Sequence, residues 1–348
     1  MRLLHHFTSC TSATLSDHPE AQEVWSTTVV QIAFGHPFLL HGILALAALY
    51  MANSNSPEKE QLSITAASKQ DAAIREFRSQ LEEITRHNCD AVFAFSFLAV
   101  YYIPASAGTV INPSATFIED DFFGSIVEWL RLHRGTSDIY RRKGHWIRKG
   151  PLAPLLWKEV LHGASDLPVQ INDILNASLA QSLLNLENLL KTEITDSEYF
   201  QKDRLTNRID ENEINLRAFK ILVEAFSRVS IESAVSEDMM AVNQLLESSE
   251  PSSRSSRGRL EISYCLSLSF AWLFEIPAEF LELLEQQRPG ALIIFAHFSL
   301  LFQNAPKFWW NEPIPAKIVK AVTAVLPRKY HEWIQWPICE VLDVQIPP

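Results

Sequence analysis

The chain has 348 residues, 47% of them hydrophobic, and a formal net charge of −11. That length and apolar fraction suffice for one large helical domain or two tightly joined halves. A glycine count of only 10 disfavours a turn-rich β architecture, and the acidic balance works against phosphate backbones unless a local basic patch compensates.

Further classes are excluded by what is scattered or short. Cys10, Cys89, Cys265 and Cys339 imply no disulfide framework and fit a reducing compartment. The opening MRLLHHFTSC lacks the apolar run of a secretory signal. The most hydrophobic runs are Phe38–Ala52, Ala91–Ile103 and Ala291–Phe302. Each is shorter than the roughly 20 residues a membrane span needs, so no span is expected.

In chain order, Asp17-x-x-Glu20 reads as a capping box, followed by Ala21, Trp25, Val29 and Ile32 on one helix face. Gly35 ends that helix, and His36-Pro37 opens the next, Phe38 to Ala52. Pro57 predicts a further start, with Ile74, Phe77, Leu81 and Ile84 stepping along the buried face. Asn88 to Asp90 turns the chain into an apolar helix, Ala91 to Tyr102. These elements form two helix pairs.

Pro104 to Asp121 reads as a loop, and helical patterns resume at Phe122–Leu132. Leu179, Leu183, Leu186 and Leu190 make one stripe; Ile214, Ala218, Ile221 and Ala225 make another. Glu247 to Gly258 holds six serines and predicts a mobile loop. Pro277 suits a first helical turn, with Phe280, Leu283, Leu284 and Gln287 following at helical spacing. Pro289-Gly290 breaks that helix, and Ala291 to Phe302 predicts a helix buried on most sides under an aromatic layer. No β-hairpin signal occurs. The expected class is all-α, a helical-hairpin array.

Several of these blocks carry a family likeness. LLHHFTSCTSATLS, VVQIAFGHPFLLHGILALAALYMA, IRKGPLAPLL and the run from Tyr264 to Pro337 resemble the fungal-specific regulatory domain of zinc-cluster transcription factors. Within that group the blocks resemble the sterol-uptake regulators of yeasts and filamentous fungi. The middle, from about Val160 to Arg259, matches only in helical character. The resemblance implies one large regulatory domain over residues 1–348, nuclear or nucleocytoplasmic. It implies partners among the transcription machinery or zinc-cluster relatives, and a sterol-like ligand. In that family a six-cysteine zinc cluster precedes this domain and binds DNA. The four cysteines here supply no C-x-x-C half-site, so neither that cluster nor direct DNA binding is expected.

The candidate site residues fall into two sets. The first is the aromatic C-terminal block, represented by His297, Phe302, Trp309, Trp310, Trp333 and Trp336. Such residues line an apolar-ligand enclosure, and equally well a plain hydrophobic core. His297 within an apolar helix reads as a satisfied core histidine. The second set is basic: Arg131 to Lys149 holds seven Lys or Arg against Asp138 alone, including Arg141, Arg142, Lys143, Arg148 and Lys149 beside Trp146. Interleaved aromatic and basic residues suit a nucleic acid, an acidic partner or an import receptor. The plainer expectation is a solvated loop.

His5, His6, His36 and His41 lack the four-residue spacing of a helical zinc pair, and no metal or cofactor is expected. No nucleophile elbow, P-loop or dinucleotide fingerprint occurs, so the chain is not expected to be an enzyme. The alternatives are an autonomous sterol- or terpenoid-binding protein and an all-α terpene cyclase. The second requires metal-binding carboxylates, faintly suggested by Glu119-Asp120-Asp121 and Asn172-Asp173. Both motifs break off: Phe122, Phe123 and Gly124 follow the first where a second-turn carboxylate is needed, and in the second Asn176 and Ala180 stand where a serine and a glutamate are needed.

Overall fold

The computed structural model describes residues 1–16, 18–54, 56–106, 122–156, 171, 174, 176–192, 208–246, 269–303, 305 and 307–344. Only the backbone is described for residues 122, 192, 208–210 and 231–246. The described residues are helices and turns without strands, and the all-α expectation holds. The serine-rich stretch 247–258, Cys265, Glu119-Asp120-Asp121 and Asn172-Asp173 lie outside them. The chain divides into two compact units. Unit 1 is Met1–His162 with Lys307–Pro313, and unit 2 is Gly163–Pro306 with Ile314–Pro348.

Unit 1 opens with α1 (Arg2–His6), which widens into a turn of π-helix over Phe7–Thr11 and tightens to a 3₁₀ turn over Ser12–Thr14. The next helix repeats the device: α2 (Pro19–Glu23) passes through a π turn, Val24–Thr28, into α3 (Val29–Ala33). A π turn shifts the hydrogen-bond register and re-aims the side chains that follow. Serine and threonine accompany both. Thr8 and Ser9 hydroxyls donate to the His5 carbonyl at 3.0 and 2.8 Å, as Ser26 and Thr27 do to Glu23 at 3.1 and 2.6 Å. The helix start differs from the capping-box expectation. His18 occupies the N-cap without a side-chain bond, Pro19 stands in the first turn, and Asp17 lies outside the described residues.

The centre of unit 1 is α4 (Pro37–Asn53), packed along α5 (Lys59–Glu82) and against α6 (Cys89–Ser106). Proline at the first position and an extended His36 begin α4 where the sequence predicts. Gly42 is required by its neighbour, because a Cβ there would stand 2.8 Å from the Phe95 ring. α5 starts at Lys59 rather than Pro57. Its buried side also differs from the predicted stripe. Leu62, Ser63, Ala66, Gln70 and Ala73 face inward, Leu81 is 43% exposed, and Ile74 and Phe77 sit at the margin. Small residues let α5 lie close to the alanine-rich α4, and that close approach, not bulk, selects the face.

α6 is the one described helix with the length and apolarity to cross a membrane, and 78% of its window is buried inside the protein. It therefore serves as a core helix. Pro104 lies within it and cannot donate to the Val100 carbonyl. The Trp129 indole N–H, from α7 (Phe122–Ile147), donates to that carbonyl instead at 3.1 Å. A short 3₁₀ turn, Ala153–Leu155, follows.

Unit 2 comprises α8 (Ala177–Thr192), α9 (Arg208–Leu246), α10 (269–275), α11 (Ala278–Glu285), α12 (Pro289–Gln303), α13 (Ile314–Val325), a 3₁₀ segment (Arg328–Ile334) and α14 (Gln335–Leu342). α12 is buried throughout from Gly290 to Phe302, as its unbroken apolar run predicts, and it packs against α9, α13 and α14. The α8 stripe Leu179, Leu183, Leu186 and Leu190 is buried, together with Leu189. On α9 the buried face comprises Ile214, Ala218, Phe219, Leu222, Ala225 and Phe226, with Ile221 at its margin.

The α11–α12 junction closes differently from the proline-glycine break expected. Pro277 caps α11 from outside, and Gln287 adopts the left-handed conformation (φ 53°). The Arg288 amide then donates to Leu283 and the Gln287 amide to Leu284, each at 2.9 Å. This paired closure satisfies the last carbonyls of α11, and Pro289 begins α12.

Candidate functional site

The six aromatic-block candidates are placed in both units. Trp309 and Trp310 lie in unit 1, on the Lys307–Pro313 segment; His297, Phe302, Trp333 and Trp336 lie in unit 2.

In unit 1 the two tryptophans hold one residue, Thr14, at the end of the first π and 3₁₀ turns. The Trp309 indole N–H donates to Thr14 Oγ1 and the Trp310 indole N–H to the Thr14 carbonyl, both at 2.9 Å. Thr14 in turn donates its hydroxyl proton to the Thr11 carbonyl at 2.7 Å. Rings complete the clamp. Trp309 meets Tyr50 at 5.0 Å, and Tyr50 meets His6 at 5.5 Å. Trp310 is fully buried between Tyr101 at 4.7 Å and a stacked Phe308 at 5.9 Å. Asn311 fixes the turn by accepting from the Phe308 amide at 2.7 Å. The opening block LLHHFTSCTSATLS and the distant KFWW are thus one packed assembly.

In unit 2, His297 is fully buried and bonded at both nitrogens. The Ile293 carbonyl accepts at 2.9 Å, so Nδ1 carries the proton, and Nε2 accepts from the Ser182 hydroxyl at 3.0 Å. Burial pushes its pKa down to about 4, so the ring is neutral. Phe302 joins an aromatic cluster with Phe270 at 5.8 Å and Phe298 at 5.5 Å. Phe298 stacks on Trp272 at 4.2 Å, and Phe280 meets Trp272 edge-on at 5.8 Å. The Trp272 indole N–H donates to the Ala218 carbonyl of α9 at 3.1 Å. Trp333 and Trp336 are half-buried, on the 3₁₀ segment and α14.

His297 sets a pH dependence. Its folded pKa lies below the unfolded value of about 6.5, so the unfolded chain binds the extra proton between the two. The stability it contributes is full above pH 6.5 and is lost as pH falls towards 4. The expected slope is about 1.4 kcal/mol per pH unit in that window. Denaturant titrations of wild type and His297→Gln between pH 7 and 4 check this, with the variant showing the shallower fall.

The basic stretch is a helix and not a solvated loop: α7 continues to Ile147 because aromatic and aliphatic residues recur beneath the cations. Ile139 and Ile147 are buried, while Arg141, Arg142, Arg148 and Lys149 are exposed and Lys143 is half-buried. Lys143 lies 4.7 Å above the Trp146 ring and Arg148 5.7 Å from the Tyr140 ring. Arg134 and Arg141 share Asp138 at 3.6 and 3.9 Å. Among the described residues, no group of three or more histidine, cysteine, aspartate or glutamate side chains has metal-holding geometry.

Sequence reasoning missed one polar cluster, on α9. Glu211 accepts from Arg288 at 3.1 Å, with a carboxyl pKa raised by burial and partly offset by the guanidinium. Asn215, one turn on, is fully buried. A lone asparagine in an amphipathic helix gives no signal of burial.

Residues 2–146 match the fungal-specific transcription factor domain. A Zn(2)-C6 fungal-type transcription factor of Aspergillus fumigatus is 30% identical over 159 residues, covering 45% of this chain and 40% of that protein. One of Gibberella zeae is 22% identical over 99% of this chain and 62% of its own length. Sterol uptake control protein 2 of Saccharomyces cerevisiae is 29% identical over 33% of this chain and 12% of its own length. The chain thus spans less than two thirds of each of these relatives. The matched domain contains every N-terminal element that builds the Thr14 clamp, and the match to the second relative extends through unit 2. Over residues 2–146 the chain is similar to the fungal-specific transcription factor domain, and the relatives it matches are fungal zinc-cluster transcription factors and sterol uptake control proteins.

Proposed function

We propose that the chain is a fungal transcriptional regulator, or the regulatory part of one. It acts in the nucleus on sterol or secondary-metabolite genes, without catalysing a reaction. Its output is partner binding, to the transcription machinery or to a zinc-cluster relative, and an apolar ligand of sterol type gates that output. The observation that carries this reading is the match of residues 2–146 to the fungal-specific transcription factor domain. The sterol uptake control proteins among the relatives support the ligand class. The exposed Arg141 and Arg142 of α7, with Arg148 and Lys149 just beyond its end and the half-buried Lys143, offer a surface for an acidic partner, Lys143 and Arg148 lying over the Trp146 and Tyr140 rings.

Mechanistically, an apolar ligand that prefers one packing of these helices shifts the balance between a masked and an active state. The size of the shift equals its difference in affinity for the two. Affinity purification of the tagged chain from its native host, after crosslinking, tests the partner claim. Recovery of mediator-type or polymerase-associated proteins, or of a zinc-cluster factor, is the expected result. Recovery of neither contradicts it.

A further inference from the structure

The cations at the end of α7 are joined by one from another segment. Arg86, on the connection between α5 and α6, reaches Asp90 at 3.4 Å. Asp90 in turn packs against the turn that follows α7, where a Cβ on Gly150 would stand 3.1 Å from its Oδ1. Burial pushes the Cys89 thiol up to about 11, and Arg86 and Lys143 both act against that rise, so both lie around the start of α6. Arg86, Arg142, Lys143, Arg148 and Lys149 are thereby gathered where α6 begins and α7 ends, all within unit 1.

The positive face is short. Further back along α7, Asp138 sits between Arg134 and Arg141 at 3.6 and 3.9 Å, and Glu128 pairs with Arg131 at 2.6 Å. Glu82 and Glu83 are exposed just before Arg86 in the chain. On a protein of net charge −11, such a face suits a compact anion and opposes a long phosphate backbone. Nor is the face purely ionic. Trp146 and Tyr140 are half-buried, with Lys143 4.7 Å above one ring and Arg148 5.7 Å from the other. Rings that hold the cations reduce the side-chain freedom lost on binding, and they set apolar area beside the charges. We infer that this end of unit 1 docks an acidic peptide segment carrying aromatic or aliphatic residues among its carboxylates. The carboxylates meet Arg86, Arg142, Arg148 and Lys149, and an apolar side chain lies against Trp146. The inference rests on the acidic-partner reading and names the partner's chemistry.

The probe is a short fluorescein-labelled peptide rich in Asp and Glu with interspersed Phe and Leu, titrated with the purified full chain by fluorescence anisotropy. Wild type is expected to bind it at least about tenfold more tightly than a peptide with the acids changed to Asn and Gln, or one with Phe and Leu changed to Ser. Arg142→Glu with Lys149→Glu is expected to weaken the acidic peptide at least about tenfold. Lys320→Glu with Arg328→Glu, an equal change of charge at exposed positions of unit 2, should alter it less than about twofold. The wild-type comparison of peptides holds whether or not the variants fold. No binding by wild type, equal binding of either altered peptide, or equal loss in the two double variants overturns the inference. Tighter binding of a mixed-sequence DNA duplex assigns the face to phosphate and also overturns it. So does self-association of wild type in analytical ultracentrifugation that Arg142→Glu with Lys149→Glu abolishes, which assigns the face to a second copy. Recovery of transcription proteins in the crosslinked purification alongside any of these failures leaves the proposed function standing.

Discussion

Trp310→Ala is expected to lower the unfolding free energy of unit 1 by about 3–5 kcal/mol, the range for emptying a buried aromatic site. The ring is wholly buried, lies against Tyr101 and Phe308, and donates to the Thr14 carbonyl. It also closes a connection across 296 residues of sequence. The surrounding side chains are large and rigid, so the site cannot collapse to fill the space. Trp310→Phe retains most of the apolar area and removes only the indole donor, so it should cost a smaller part of that amount. Denaturant titration followed by near-ultraviolet circular dichroism checks both variants. A midpoint for Trp310→Ala within error of wild type would show that the clamp does not hold Thr14 in solution.

Trp272→Ala should cost a similar amount, about 3–5 kcal/mol, in unit 2. Trp272 has 0% exposure, stacks on Phe298 and meets Phe280 edge-on. Its truncation strips two aromatic contacts and leaves a cavity beside α9. The hydrogen bond matters less. The Ala218 carbonyl lies inside α9 and already accepts from the helix backbone, so Trp272→Phe leaves no orphaned acceptor and should cost about 1 kcal/mol or less beyond lost area. At Trp129 the logic reverses, because Pro104 denies Val100 its helical donor and the indole N–H replaces it. Thermal and denaturant unfolding of the alanine and phenylalanine variants measures these differences.

Much of this fold can be read locally. Pro37 marks the start of α4 because proline suits a first turn, whereas Pro289, expected to break a helix, begins α12. The leucine stripe of α8 and the apolar run of α12 predict their burial directly. The inward face of α5 escapes the same reasoning. It is built of Leu62, Ser63, Ala66, Gln70 and Ala73, of which the serine and the two alanines permit close approach, while Leu81 is exposed. The π turns give little local signal beyond a cluster of hydroxyl residues.

The site was legible only in part. Trp309 and Trp310 stood out by composition, but their common partner, Thr14, is nearly 300 residues away, and no spacing rule reaches that far. His297 read correctly as a bonded core residue, since an apolar helix leaves a neutral ring no other stable state. Arg131–Lys149 misled, because charge density suggested a solvated loop while Ile139 and Ile147 kept the helix packed. Asn215 gave no warning, as an asparagine on a helix ordinarily faces water.

The central claim is that this chain acts on transcription, and chromatin occupancy tests it most directly. The tagged full chain, expressed from its own locus, should be enriched at discrete promoters, whether it contacts DNA itself or through a zinc-cluster partner. A protein that is present in the cell yet shows no enrichment over untagged control at any promoter would contradict the account.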